Sequence, residues 1–203
     1  MKLYYSPGAC SLSPHIVLRE LDIPFSLERV EHPSKITESG EDYRAVNPKG
    51  YVPALRFDDG EVLTEGAAIV QYLADSNPAA ELAPKAGSRE RAQLQAHLNY
   101  ISSELHKAFT PLFQSTTADS AREAARVNVA KKLDYLEGLF SDGRSYLLGD
   151  GFSVADPYLF AVIGWTAPTG IDLAQWPHLA AFAKRMNERP AVKAALAAEG
   201  LAA

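Results

Sequence analysis

Apolar and polar residues change their spacing once along this chain, and the change divides it. Lys2 to Tyr5 reads as a short strand, Ser6-Pro7-Gly8 as a turn, and Pro14 to Leu21 as a helix with Ile16, Val17 and Leu21 on its apolar side. Phe25 to Val30 alternates as a half-buried strand, and Glu41 to Val46 fits a short helix ending before Asn47-Pro48. Pro53 to Phe57 and Glu61 to Thr64, joined by Asp58-Asp59-Gly60, have the pattern of a hairpin, and Glu65 to Asp75 closes the segment as a helix. Asn77-Pro78 through Ser88 is rich in proline, small and polar residues. Beyond it the period is 3.6: Arg89 to Gln114, Ala121 to Phe140, Val154 to Trp165, Pro177 to Glu188 and Ala191 to Glu199 all carry helical apolar faces. The expectation is an α/β domain of order βαβαββα over 1–80, a linker at 81–88, and an all-helical domain over 89–203. Ser153-Val154-Ala155-Asp156 reads as a helix-initiating cap, assigned to folding rather than chemistry.

The 203 residues are 47% hydrophobic with ordinary charged content, enough for one large core or two modest ones. No basic segment followed by an apolar stretch opens the chain and no apolar run reaches membrane-spanning length, so the expected location is the cytoplasm. A net charge of −5 gives no support to nucleic-acid binding. No Cys/His cluster has metal-ligand spacing, and no glycine motif cradles phosphate. His15, His32, His97 and His178 therefore receive no role.

The single cysteine, Cys10, sits where a helix begins. Unpaired N–H groups and the positive end of the helix dipole favour an anion there, which should lower the thiol's pKa. Buried small hydrophobe and reactive thiol are equally good readings of a lone cysteine. Cys10-Ser11-Leu12-Ser13 resembles the Cys-x-x-Cys of thioredoxin-like proteins with the second thiol replaced by Ser13. An attacking sulfur remains, and an internal resolving sulfur does not.

The βαβαββα order is that of thioredoxin-like domains. Joined to a proline-containing linker and an all-helical domain with a Ser-x-x-Asp cap, it resembles the cytosolic glutathione S-transferases over essentially the whole chain. The opening Met1-Lys2-Leu3-Tyr4-Tyr5-Ser6-Pro7-Gly8-Ala9-Cys10-Ser11 is similar to the bacterial beta class, which has cysteine where other classes have tyrosine or serine. Asn47-Pro48-Lys49-Gly50-Tyr51-Val52-Pro53, Leu63-Thr64-Glu65-Gly66 and Asn99 through Lys107 fit the same class.

The resemblance implies a glutathione site made by Tyr5, Cys10, Ser11, Lys35, Val52, Pro53, Glu65, Gly66, Asn99, Ser103 and His106, with Cys10, His106 and Lys107 as the catalytic set. Val52-Pro53 matches a cis-proline corner whose backbone edge pairs with the tripeptide as an added strand. Glu65 and Gly66 stand at a helix start suited to the γ-glutamyl ammonium and carboxylate, and Lys35 to the glycyl carboxylate. Asn99, Ser103, His106 and Thr110 recur at helical spacing as one polar stripe, opposite Leu98, Ile101, Leu105, Phe109 and Leu112. By pattern that stripe is a solvated face; by resemblance it faces the thiol, where His106 and Lys107 add donors or positive charge. Tyr158 and Trp165 are read as core aromatics.

The expected activity is attack of the glutathione thiolate on small apolar electrophiles, with disulfide exchange or reductive dehalogenation through Cys10 beside it. Glutathione is then a cosubstrate and no tightly bound cofactor is expected. The family also implies a homodimer, with Asn99 and Ser103 acting in their own or the neighbouring subunit's site. The competing reading is a non-catalytic module that binds glutathione or hydrophobic ligands.

Overall fold

The computed structural model describes residues 1–201. Its contacts divide into two units, one formed by Met1–Ala83 with the chain from Asn187 onward, the other by Pro84–Met186.

In the first unit β1 (Lys2–Tyr5), α1 (Leu12–Glu20), β2 (Ser26–Arg29), β3 (Ala54–Arg56), β4 (Val62–Thr64) and α2 (Gly66–Ser76) follow in order. The sheet order is β2-β1-β3-β4. β1 and β2 are parallel with Leu3 opposite Leu27, because α1 carries the chain back across the sheet. β3 runs antiparallel to both neighbours, with Leu55 opposite Leu3 and Leu63. Leu3, Leu55, Ile16, Val17, Ile69 and Leu73 are buried, so alternate strand positions and the apolar stripes of the two helices share one core. The helix expected over 41–46 is only a 3₁₀ turn, Tyr43–Ala45. Asp42 caps it by accepting the Arg44 N–H at 2.9 Å, and Pro48 leaves no room for a second turn.

The last helix, α8 (Pro190–Ala198), departs from the expected boundary. Its period-3.6 pattern placed it in the helical domain, but it packs on α1, with Val192 and Ala195 buried. Arg189 closes the contact through a paired hydrogen bond to the Glu20 carboxylate at 2.7 and 3.0 Å.

The second unit holds α3 (Arg89–Tyr100), α4 (His106–Phe113), α5 (Asp119–Phe140), α6 (Ala155–Ile163) and most of α7 (Pro177–Glu188). The single helix expected over 89–114 is α3 and α4 joined by a π-helical turn, Ile101–Leu105, in which the His106 N–H reaches back five residues to the Ile101 carbonyl. Both Ser102 and Ser103 hydroxyls donate to the Asn99 carbonyl, at 3.0 and 2.8 Å. Leu98, Ile101, Leu105, Phe109 and Leu112 are all buried, as their spacing predicts. α6 is buried on every side. Its start is held by Asp156, which accepts from Ser153 N–H, Ser153 Oγ–H and Leu147 N–H at 2.7 to 2.9 Å. None of the described helices is long and apolar enough to cross a membrane.

Candidate active site

Cys10 lies in the loop that leads β1 into α1. Three backbone bonds wind this loop inward: Ala9 N–H to Ser6 O, Leu12 N–H to Ala9 O and Ser13 N–H to Cys10 O, at 3.0 to 3.1 Å. The thiol is half-buried, outside any disulfide, and Sγ donates to the Val52 carbonyl at 3.4 Å. Val52-Pro53 is a cis peptide bond. The Val52 N–H has no acceptor among the described residues, so this short edge before β3 offers a donor beside the sulfur.

Two further features converge on the same edge. Lys35 takes a left-handed backbone (φ +63°), and its aliphatic stem runs over Gly50, 3.8 to 3.9 Å from where a β-carbon would stand. Burial, with the nearby Arg44 charge, holds the Lys35 ammonium below the ordinary lysine range. Gly66 opens α2 against the Pro53 ring, and the first two N–H groups of α2, from Gly66 and Ala67, have no acceptor among the described residues. Glu65 precedes them in a left-handed conformation (φ +70°) and is 71% exposed. Lys49 pairs with its carboxylate while also donating to Thr64 Oγ1 at 3.0 Å.

A buried polar cluster fixes the loop from behind, and the sequence patterns did not reveal it. His15, fully buried on α1, meets Glu199 Oε1 through Nδ1 at 2.8 Å. The other carboxylate oxygen of Glu199 accepts the Gly8 N–H at 2.9 Å, and Gly8 takes φ +70°, a conformation glycine tolerates. The end of α8 therefore holds the loop two residues before Cys10. A lone histidine among apolar residues was the only signal on α1, and a partner 184 residues away leaves no local trace.

In the second unit His106 is half-buried in an aromatic setting. Nδ1 lies 3.1 Å from the Tyr158 hydroxyl, and the ring stands edge-on to Trp165 at 4.7 Å. Phe109 and Phe113 also meet Trp165 edge-on, at 5.7 and 5.6 Å. Burial, with a smaller push from the Lys107 ammonium, holds the His106 imidazole down to about 4. At neutral pH His106 is therefore uncharged, and of the donor or positive charge expected of it the hydrogen-bonding part remains. Tyr158 is buried as expected, whereas Trp165 is only half-buried. Asn99, Ser103, Lys107 and Thr110 are exposed.

Residues 8–76 match the model of the glutathione S-transferase N-terminal domain and residues 100–190 that of the C-terminal domain. The chain is 49% identical over 201 residues to the glutathione S-transferase GstA of Escherichia coli O157:H7, covering 99% of this chain and 100% of that protein. The chain belongs to the glutathione S-transferase family. Its structure superposes on the bacterial beta-class enzyme of Sphingomonas chungbukensis with a TM-score of 0.96 at 48% identity, covering 99% and 100% of the two chains. A sphingomonad glutathione S-transferase complexed with glutathione gives 0.95 at 51% identity, with both chains covered in full. This is a beta-class glutathione S-transferase, with the thioredoxin-like and helical parts of that fold.

The transferase brings Cys10, Val52, Pro53 and Gly66 together, places Lys35 along Gly50, and sets Glu65 at the head of α2. Tyr5 and Ser11 are both buried, and Ser11 Oγ is committed to Ser6, accepting its N–H at 3.1 Å and donating to its carbonyl at 3.2 Å.

Proposed function

We propose that this transferase takes glutathione onto the Val52 edge and uses it against small apolar electrophiles, with Cys10 as a second, covalent route to disulfide exchange. The observation that carries the reading is the Cys10 Sγ on the Val52 carbonyl, beside a Val52 N–H and two N–H groups at the head of α2 that find no acceptor among the described residues. A peptide with an amide to pair, a carboxylate to hold and a thiol to place fits all three. Glu65 suits the γ-glutamyl ammonium, Lys35 the glycyl carboxylate, and the half-buried ring of Trp165 with the exposed ring of Phe113 an apolar substrate. In exchange, the Cys10 thiolate attacks oxidised glutathione, one new S–S bond forms, and one glutathione thiolate leaves. Glutathione is a cosubstrate here, in a cytoplasmic homodimer to whose sites Asn99 and Ser103 contribute.

Intact mass after incubation with oxidised glutathione, paired with turnover of a chlorinated nitroaromatic, tests this directly. One glutathionyl adduct on the wild type, none on Cys10→Ala, and glutathione-dependent turnover are expected. No adduct and no turnover would leave a binding module instead. Gel filtration returning a monomer would overturn the dimer.

A further inference from the structure

The Val52 N–H belongs to the peptide group whose carbonyl is Tyr51 O, and that oxygen is gripped from inside the protein. Tyr43 Oη donates to it at 2.8 Å and Asn47 Nδ2 at 2.7 Å. Both donors are buried, at 0% and 2% exposure. They come from the 3₁₀ turn and the second residue after it, and Asn47 N–H closes on the Tyr43 carbonyl at 2.9 Å. The Tyr43 ring is fixed in turn against Tyr4, with centroids 5.4 Å apart. The Tyr51 side chain, by contrast, is 69% exposed and makes no hydrogen bond among the described residues.

We propose that Tyr43 and Asn47 are positioning residues for glutathione, acting through the Tyr51–Val52 peptide group. Two hydrogen bonds accepted by an amide oxygen draw electron density away from its nitrogen, so the N–H on the other side becomes a stronger donor with a fixed direction. The donor thus strengthened is the one that meets the ligand. Tyr43 remains protonated through the working range, because burial pushes its phenol up to about 12. The inference rests on the reading that glutathione pairs with the Val52 edge.

Tyr43→Phe removes the hydroxyl and keeps the ring packed on Tyr4. Loss of one such bond should raise the KM for glutathione about threefold to tenfold and leave kcat unchanged. In an amide ¹⁵N–¹H spectrum without ligand, the Val52 proton should move upfield, a change that loss of packing alone does not produce. Alkylation of Cys10 against pH should be unmoved, since the Sγ–H bonds to the following peptide group. If Tyr43→Phe fails to fold, Asn47→Ala removes the other donor and is read in the same way. An unchanged KM together with an unmoved Val52 resonance overturns the proposal. Failure of the underlying reading looks different: wild-type protein whose Val52 resonance does not respond to added glutathione.

Discussion

The two units carry their functional groups by different means. In the first, the candidate groups for a ligand are largely backbone: the Val52 N–H, the N–H groups of Gly66 and Ala67, and a thiol set by the winding of residues 6–13. In the second they are side chains on a helix that changes phase at a π-helical turn, and their chemistry depends on what covers them. His106 and Lys107 are neighbours in sequence, yet one is half-buried among Tyr158 and Trp165 and the other is exposed. Backbone sites are set by turns and helix starts, and tolerate side-chain change. Side-chain sites are set by burial, and a distant residue can remove their charge.

The largest test of this difference lies in the buried cluster that holds the backbone site. Glu199→Ala leaves the Gly8 N–H and the His15 ring nitrogen without their acceptor inside the protein, which should cost about 2–5 kcal/mol. The urea midpoint should fall accordingly, and Glu199→Gln, which keeps one acceptor, should fall less. A loss under about 1 kcal/mol would mean that water replaces the carboxylate and that the loop does not need α8.

That cluster also shows where reading the chain stops. β1, the hairpin and the start of α2 were legible because strand alternation, Asp58-Asp59-Gly60 and the glycine at 66 are local signals. Cys10 was legible as a thiol at a helix start for the same reason. The seating of α8 on α1 was not, because an amphipathic helix announces an apolar face and not its partner. The π-helical turn escaped too: Leu98, Ile101, Leu105, Phe109 and Leu112 satisfy an ordinary helical stripe whether or not one turn is widened. Loss of charge on His106 was invisible because Tyr158 and Trp165 lie more than fifty residues away.

The second unit can be tested through that histidine. With its imidazole held near 4, against about 6.5 in an unfolded chain, His106 binds fewer protons folded than unfolded between those values. Its contribution to stability is therefore complete above about pH 6.5 and is lost as pH falls toward 4. His106→Asn should flatten that part of the stability profile while leaving the plateau near pH 7.5 lowered only by the lost packing. A wild-type profile already flat between pH 6.5 and 4, once other groups are matched by the variant, would restore the charged role.

The smallest effect is expected at the exposed rim of the backbone site. Lys49 and Glu65 have side chains 46% and 71% exposed, so their attraction is screened by water and offset by the ordering of two long side chains. Lys49→Met should lower the unfolding free energy read from urea titration by less than about 1 kcal/mol, and salt should erase most of that difference. The contrast with Glu199 is the point of the measurement, since both carboxylates pair with a nitrogen base near the same loop-and-edge site. If Lys49→Met destabilised the protein as much as Glu199→Ala, burial would not be what separates the two pairs. The left-handed Glu65 would then depend on Lys49 and Thr64 to hold its conformation, and the head of α2 would owe its shape to side chains after all.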